Sequence, residues 1–457
     1  VRRILFALGV MGLLVVVVSA QPPIPSVPPT PVPLPPAVNP PQPPGDPVLP
    51  RPPQPLPMAV APTPTPPVAA SDIPLSKFEP LASFPTVTQF AVRGVLLGST
   101  WMAKMHQSHG RFLYGYNPAL RQPISGEHDL KQAQSALALA QAAKFSGDQK
   151  HAAIASQAIL TLLASTKLSP SDPNCRVPVQ ASVVCNRVAF TAILALAIYE
   201  LPNADPKLID DAERLCGFLR TQLRTDGSVH YTDGPTDVPT QTDPAGVNEY
   251  PGYALQALAV SNRVRPAEWK KDAVKRGVGY YHTLFRTKPH PMLAATLTPC
   301  AFEYYLQTKL NDAATAVYEM NDWLCTLQIV LTDPQTPQWA GGFRSVEKGQ
   351  AKAPPTTAET GLYVQSLACA DQLTRLTGDL TRERKYRPAL LGAVEFLCGL
   401  QFIEANTRHF DNIFRANMLI GAFHLSPNDG NLQTDATACA IVGLLRYLWS
   451  GAERTGP

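Results

Sequence analysis

Charge is scarce in this chain: Asp, Glu, Lys and Arg make up 16% of 457 residues, the net charge is +4, and no Lys/Arg block occurs. A surface that follows nucleic-acid phosphates needs a concentrated basic stripe, so nucleic acid is not an expected partner. There is no Gly-rich phosphate loop and no serine framed as a nucleophile elbow, which removes two common catalytic signatures. The nine histidines are scattered without helical pairing to an acid, and the eight cysteines form no Cys-x-x-Cys. No metal site and no cofactor are therefore expected. Alternating apolar and polar runs of ordinary strand length are missing too, which speaks against a sheet-based fold.

Proline is abundant but confined: 26 of 48 prolines fall between Pro22 and Pro85. Proline fixes φ and removes a backbone donor, so residues 21–85 are expected to form an extended, disordered linker. Its alternative role is a ligand for a Pro-recognising groove. Before it, Arg2 and Arg3 precede an apolar run from Ile4 to Val18, then Ser19 and Ala20. This pattern reads as a signal peptide over residues 1–20, cut after Ala20, and implies a secreted, periplasmic or cell-envelope location. An uncleaved N-terminal anchor, giving cell-envelope association through the same segment, is the alternative.

Residues 86–457 read as one all-α domain. Apolar spacing of three and four marks twelve helices, at about 87–106, 129–145, 149–165, 186–201, 205–223, 249–262, 266–286, 292–308, 312–330, 357–377, 383–402 and 434–449. Tight turns join the second helix to the third, the fourth to the fifth, the sixth to the seventh, the eighth to the ninth and the tenth to the eleventh. The intervening connections are long, except near Lys288–Pro291. In an up-and-down array alternate loops lie at opposite ends, so nearly all long loops should gather at one pole. Matching Cys-bearing stretches at Arg214–Leu219, Trp323–Gln328 and Phe396–Gln401 indicate repeated helix pairs. Twelve helices, with the first left to pair with the last, favour closure into two rings of six.

The even-numbered helices open after long loops and carry small-residue faces, as in Tyr250-Pro251-Gly252-Tyr253-Ala254-Leu255. In this the chain resembles the (α/α)6 toroid of six-hairpin glycosidases, many polysaccharide lyases, uronyl epimerases and terpenoid cyclases. The stretches at Gly110–Pro118, Val247–Ala259, Glu319–Gln328, Pro337–Phe343 and Asp429–Asp435 are similar to an uncharacterised family of secreted bacterial proteins with this toroid. The resemblance covers about residues 87–450 and implies a cleft at the crowded rim. The proton-donor box of squalene-type cyclases, Asp-x-Asp-Asp, is absent.

Candidate site residues follow from the long loops, because loops on a rigid frame carry most functional groups. Glycoside hydrolysis needs two carboxylates, one donating a proton and one activating water or attacking. Glu249, where loop becomes inner helix, is the leading catalytic candidate, with Asp243 or Asp226 as partner. Capping of helix ends explains such acids without catalysis. His128, between Glu127 and Asp129, is a candidate base; Asp129 is a candidate ligand group or a cap. Tyr114, Tyr116, Tyr250, Trp339 and Phe343 offer rings for sugar faces, or closure of the barrel end. Arg408, His409, Asp429 and Asp435 form a mixed-charge rim, Arg408 being suited to a carboxylate. Glu359 is a further acid early in its helix. In an exported chain, Cys175 and Cys185 are expected to form a disulfide across a Pro-containing loop; the other cysteines are expected to be small core residues.

The leading expectation is a secreted carbohydrate-active enzyme, a glycoside hydrolase, polysaccharide lyase or uronyl epimerase, taking a glycan or other small or oligomeric ligand. A non-catalytic toroid binding glycan or envelope is the alternative, and a terpenoid cyclase-like lipid site is third.

Overall fold

The computed structural model of the chain describes residues 80–126, 128–180, 184–232, 244–344 and 354–452. The expected signal peptide and nearly all of the Pro-rich linker lie outside the described residues. The folded body begins slightly before the linker's expected end: Leu81–Ser83 form a 3-10 turn, and Leu81 packs on the core.

Among the described residues twelve long helices carry the fold. In chain order the helices are α1 (Thr86–Met105), α2 (Asp129–Ser146), α3 (Gln149–Leu163), α4 (Arg187–Glu200), α5 (Pro206–Thr221), the short α6 (Pro244–Asn248), α7 (Tyr250–Val264), α8 (Glu268–Thr287), α9 (Pro291–Thr308), α10 (Asn311–Leu324), α11 (Thr357–Thr377), α12 (Leu380–Gly399), the single-turn α13 (Asn412–Phe414) and α14 (Thr434–Trp449). Helices α2, α4, α7, α9, α11 and α14 each pack on the next, and α14 packs back on α2, closing an inner ring. Helices α3, α5, α8, α10 and α12 each lie against their hairpin partner, and α1 covers α14. The outer ring is thus completed by the first helix pairing with the last. The fold is an (α/α)6 toroid.

Local chemistry sets the helix ends. Asp148, Asp205, Thr356 and Asp379 accept backbone N–H groups at N-termini, and Gly147 and Gly378 close C-termini in the left-handed region. Inner helices α11 and α14 approach so closely that a Cβ on Gly361 would strike the Cys439 carbonyl, and one on Gly443 the Gly361 carbonyl. Small residues on these faces are therefore a packing requirement.

One turn recurs around the body. After α1, α5, α10 and α12 the chain forms a single antiparallel bridge: His106 with Phe112, Leu223 with Val229, Gln328 with Phe343, and Gln401 with Phe423. Two residues before the second partner stands a glycine of positive φ: Gly110 (84°), Gly227 (94°), Gly341 (90°) and Gly421 (103°). Any Cβ there would collide with the next outer helix, at Thr161, Arg276, Gly392 or Leu97. Only glycine meets both conditions. Gln328 and Gln401 complete the device by donating to the carbonyls of Gly341 and Gly421 and to those of Ala389 and Gly94.

The six short strands among the described residues were not expected. β1 (Gly115–Asn117), β2 (Gln122–Ile124), β5 (His424–Ser426) and β6 (Asp429–Gln433) form a sheet in the order β2-β1-β6-β5. β1 faces β6 with Gly115 opposite Gln433, tying the first long loop to the last. β3 (Thr166–Ser169) and β4 (Asp172–Pro178) form a hairpin against α5. The expected ninth helix to residue 330 stops at Leu324 and tightens to 3-10 through Leu327, because Gln328 must pair with Phe343.

The expected Cys175–Cys185 disulfide is not formed; both are free, buried thiols. Cys175 lies where β4 presses on Gly217 of α5, whereas Cys185 lies beside Leu130 of α2, and burial pushes its pKa up to about 11.

Candidate active site at the rim

The inner helices all start at the pole that carries the long loops, so their first turns surround the mouth of a central funnel. Lys131, in the first turn of α2, is the hub. Its Nζ lies 3.0 Å from Asp435 Oδ2, 3.1 Å from the Tyr114 hydroxyl and 3.0 Å from Gln433 Oε1, and 4.8 Å from the Tyr114 ring centre. The β1–β6 pairing makes this cluster possible, because it sets Tyr114 beside Gln433 and Thr434. Burial depresses the Lys131 ammonium, but Asp435 and Tyr114 outweigh it and the net pKa is raised.

Asp435 and Glu249 act on one buried thiol of α14. The Cys439 thiol is pushed up by burial and then by the carboxylates of Asp435 and Glu249, while Lys131 opposes them. Tyr363 of α11 is raised by burial and then by Glu359 and Glu249. Tyr253 of α7 is raised by burial and then by Glu249, and bonds to Gln134 of α2. Carboxylates from α11, α14 and the start of α7 therefore share one neighbourhood with two buried tyrosines. Glu249 stands at the N-cap of α7 without a side-chain capping bond. Capping therefore does not account for it. Glu359 does cap: Thr356 donates to its Oε2 at 2.9 Å and accepts from its backbone N–H.

His128 belongs to the same cluster. It is the N-cap of α2 without a capping bond, and its Nδ1 is shielded from solvent with no hydrogen-bond partner among the described residues. Burial, then Lys131, lowers its pKa against the pull of Asp129 and Asp435, so the ring is neutral at pH 7. Tyr250 is half-buried beside Tyr231, with ring centres 6.5 Å apart.

Other expected site residues have structural roles. Asp226 accepts from the backbone N–H and hydroxyl of Ser228 in the tight turn that rests on α8, so it sits on the outer ring. That placement removes it as a catalytic partner of Glu249. Asp129 is buried and held by Arg111 at 2.6 Å and Gln180 at 2.7 Å, which fasten two loops to α2. Phe343 is 2% exposed and packs on Tyr363, so it is core and not a stacking platform. Tyr116 is buried against Phe414 and closes the barrel end. Asp429 makes the β5–β6 turn through Asn431. Arg408 and His409 are exposed, with His409 against Phe410, and neither joins the Lys131 cluster. Trp339 is half-exposed in the one-turn 3-10 helix Pro337–Trp339. Asp243 and Glu127 lie outside the described residues.

Sequence reasoning missed Lys131, Gln134, Tyr253 and Tyr363. Their signal is a lone polar or aromatic side chain in an otherwise small-residue inner helix. Among the described residues no group of three or more His, Cys, Asp or Glu could hold a metal ion.

No family model matches the chain, and comparison with curated proteins finds no match. Solved structures do match. A D-mannose isomerase aligns over 80% of this chain and 99% of its own, at 12% identity and a TM-score of 0.57. The cellobiose 2-epimerase of Bacillus thermoamylovorans B4167 aligns over 78% and 98%, at 9% identity and a TM-score of 0.56. An inactive variant of the α-1,6-mannanase GH76A of Salegentibacter sp. HEL1_6, in complex with α-1,6-mannotetrose, aligns over 80% and 100%, at 12% identity and a TM-score of 0.54. At these identities the likeness establishes the fold: this chain shares the α/α toroid of sugar hydrolases, epimerases and isomerases.

Proposed function

We propose that the rim funnel is a carbohydrate-active site and that its reaction is hydrolysis of a glycosidic bond. The observation that carries this reading is the convergence of Glu249, Glu359 and Asp435 on one funnel mouth with Tyr253 and Tyr363, with Asp435 paired to Lys131. Carboxylates crowded together are not all stable as anions, which suits one of them to carry a proton. Glu249 donates that proton to the glycosidic oxygen as the C–O bond breaks. Asp435, paired with Lys131, takes a proton from the water whose oxygen attacks the anomeric carbon. His128, neutral beside Lys131, is a hydrogen-bonding group for a sugar hydroxyl. The glycan complexes and sugar substrates of proteins with this fold support a saccharide ligand.

We further propose that the chain is exported by residues 1–20 and held away from the envelope by residues 21–85. Fractionation of cells expressing the full chain tests this; cytoplasmic retention overturns it.

The test of the chemistry is a panel of neutral and uronate-containing glycans, read for new reducing ends, unsaturated products and epimerised sugars. Reducing-end release that Glu249→Gln abolishes supports hydrolysis. Unsaturated or epimerised product moves the assignment to elimination or epimerisation. Glycan binding without turnover, unchanged in Glu249→Gln, identifies a binding toroid instead.

A further inference from the structure

The funnel has a second chamber. At the pole of the short turns, where the inner helices end, lies a cavity of about 390 Å³. Small-ligand sites span about 300–1,000 Å³. The Lys131 cluster belongs to the opposite pole, and the chamber between the two has about 50 Å³, too little to hold a sugar. The two chambers meet at a collar of Gln141, Gln256 and Gln365, one glutamine from each of three inner helices.

These amides take no hydrogen bond from other described residues, and the Gln141 Oε1 is fully shielded from solvent. Three side chains capable of both donating and accepting thus face one space. An apolar ligand would leave them unsatisfied, at about 1–3 kcal/mol for each buried polar group. Charge then decides between the polar classes. Three cations line the cavity: Lys144 and Arg263 pair with Glu200 and Glu303 at 2.9 to 3.8 Å, whereas Arg446 has no carboxylate within 4.0 Å among the described residues. Arg446 instead lies over Phe302, 4.9 Å from its ring centre, and donates to Gln372. Six helix C-termini end at this pole, each worth about half a negative charge. Together these ends amount to about −3 and outweigh the one surplus cation, so an anion is disfavoured, while a cation meets Lys144, Arg263 and Arg446 directly. Trp449, 36% exposed, stands at the mouth as a flat apolar plate.

Amides, paired charges and an aromatic plate, in a pocket whose helix ends disfavour anions and whose side chains disfavour cations, match a polyhydroxylated, uncharged molecule. We propose that this chamber is a second binding site, for a neutral saccharide or polyol, distinct from the rim and independent of what the rim does.

The test uses the full chain and ligand-observed NMR with cellobiose, mannobiose and sorbitol, with glucuronate as the charged control. Wild type and Glu249→Gln are expected to bind at least one neutral probe alike. Trp449→Ala and Gln256→Met, two independent changes at opposite walls, are each expected to weaken that binding about tenfold or more, with circular dichroism unchanged. Rim turnover, where present, should persist in both variants. The proposal is overturned if folded protein binds none of the neutral probes at millimolar concentration, if Glu249→Gln alone removes binding, or if glucuronate binds more tightly than the neutral sugars.

Discussion

The Lys131–Asp435 pair joins the first and last helical hairpins, and a double-mutant cycle measures how much it holds them together. Unit charges 3.0 Å apart interact by about 1.4 kcal/mol at the dielectric of water and about 5.5 kcal/mol at an effective value of 20. The side chains are 26% and 13% exposed, which places the pair between these limits. Desolvation of the ammonium opposes the attraction. A net coupling of about 1–2 kcal/mol follows. Lys131→Met also loses bonds to Tyr114 and Gln433, but that loss cancels in the cycle. Each single variant, Lys131→Met or Asp435→Asn, should destabilise by about 1.5–3 kcal/mol, because one partner remains partly buried without its counter-charge. The double variant should lose less than the sum. Urea unfolding followed by circular dichroism gives the four midpoints. Coupling below about 0.3 kcal/mol would refute a closing role for the pair.

Glu249→Gln should lower turnover at least a hundredfold with the circular dichroism spectrum retained; turnover at the wild-type level would remove Glu249 from the chemistry. Gly421→Ala should cost about 2–4 kcal/mol, combining a φ of 103° with a collision at the Leu97 carbonyl, whereas Gly378→Ala, at 73° with open space, should cost about 1 kcal/mol. Equal losses would remove the close approach as the cause. Burial lowers the pKa of His106, His128, His151, His290 and His424 below 6.5. The unfolded chain therefore binds protons first as pH falls, and stability should drop from pH 6.5 downward, before carboxylates titrate. Urea midpoints at pH 7.5 and 5.5 measure the drop, and a flat profile would contradict it.

How much of this was legible in the sequence depends on what kind of force sets each feature. α11 and α14 occupy the expected residues 357–377 and 434–449, because local signals bound them: the Thr356 cap, the Gly378 turn and an unbroken apolar face. Ring closure was legible from loop lengths and helix parity. β1 and β6 were not, since Gly115, Asn117, Asp429 and Gly430 have no strand propensity and pair only because closure brings them together. Asp226 misled for a related reason: its loop leaves the outer ring first and reaches the funnel only later, and nothing in a linear string of acids marks that passage. Tyr253 and Tyr363 sit among alanines and leucines, where a ring facing the axis is indistinguishable from a ring in the core.

The two poles explain why charge alone is a poor guide to chemistry in this fold. Six parallel inner helices point their N-termini at the rim and their C-termini at the turns, so acids are favoured at one end and bases at the other. Asp129, Glu359 and Asp435 stand in first turns, and Lys144, Arg263, Arg375 and Arg446 in last turns, as the dipoles alone would arrange them. A candidate site must therefore show something that the dipole does not require. At the rim it is Glu249, which lies before its helix, caps nothing, and shares its field with two buried tyrosines. At the far pole it is the glutamine collar, because an uncharged amide gains nothing from a helix end. If the collar were dipole compensation, removing its amide would cost stability. Gln365→Glu, adding a negative charge amid helix C-termini, should lower stability while Gln365→Met does not, which separates the field of the helices from any need of the fold for the amide.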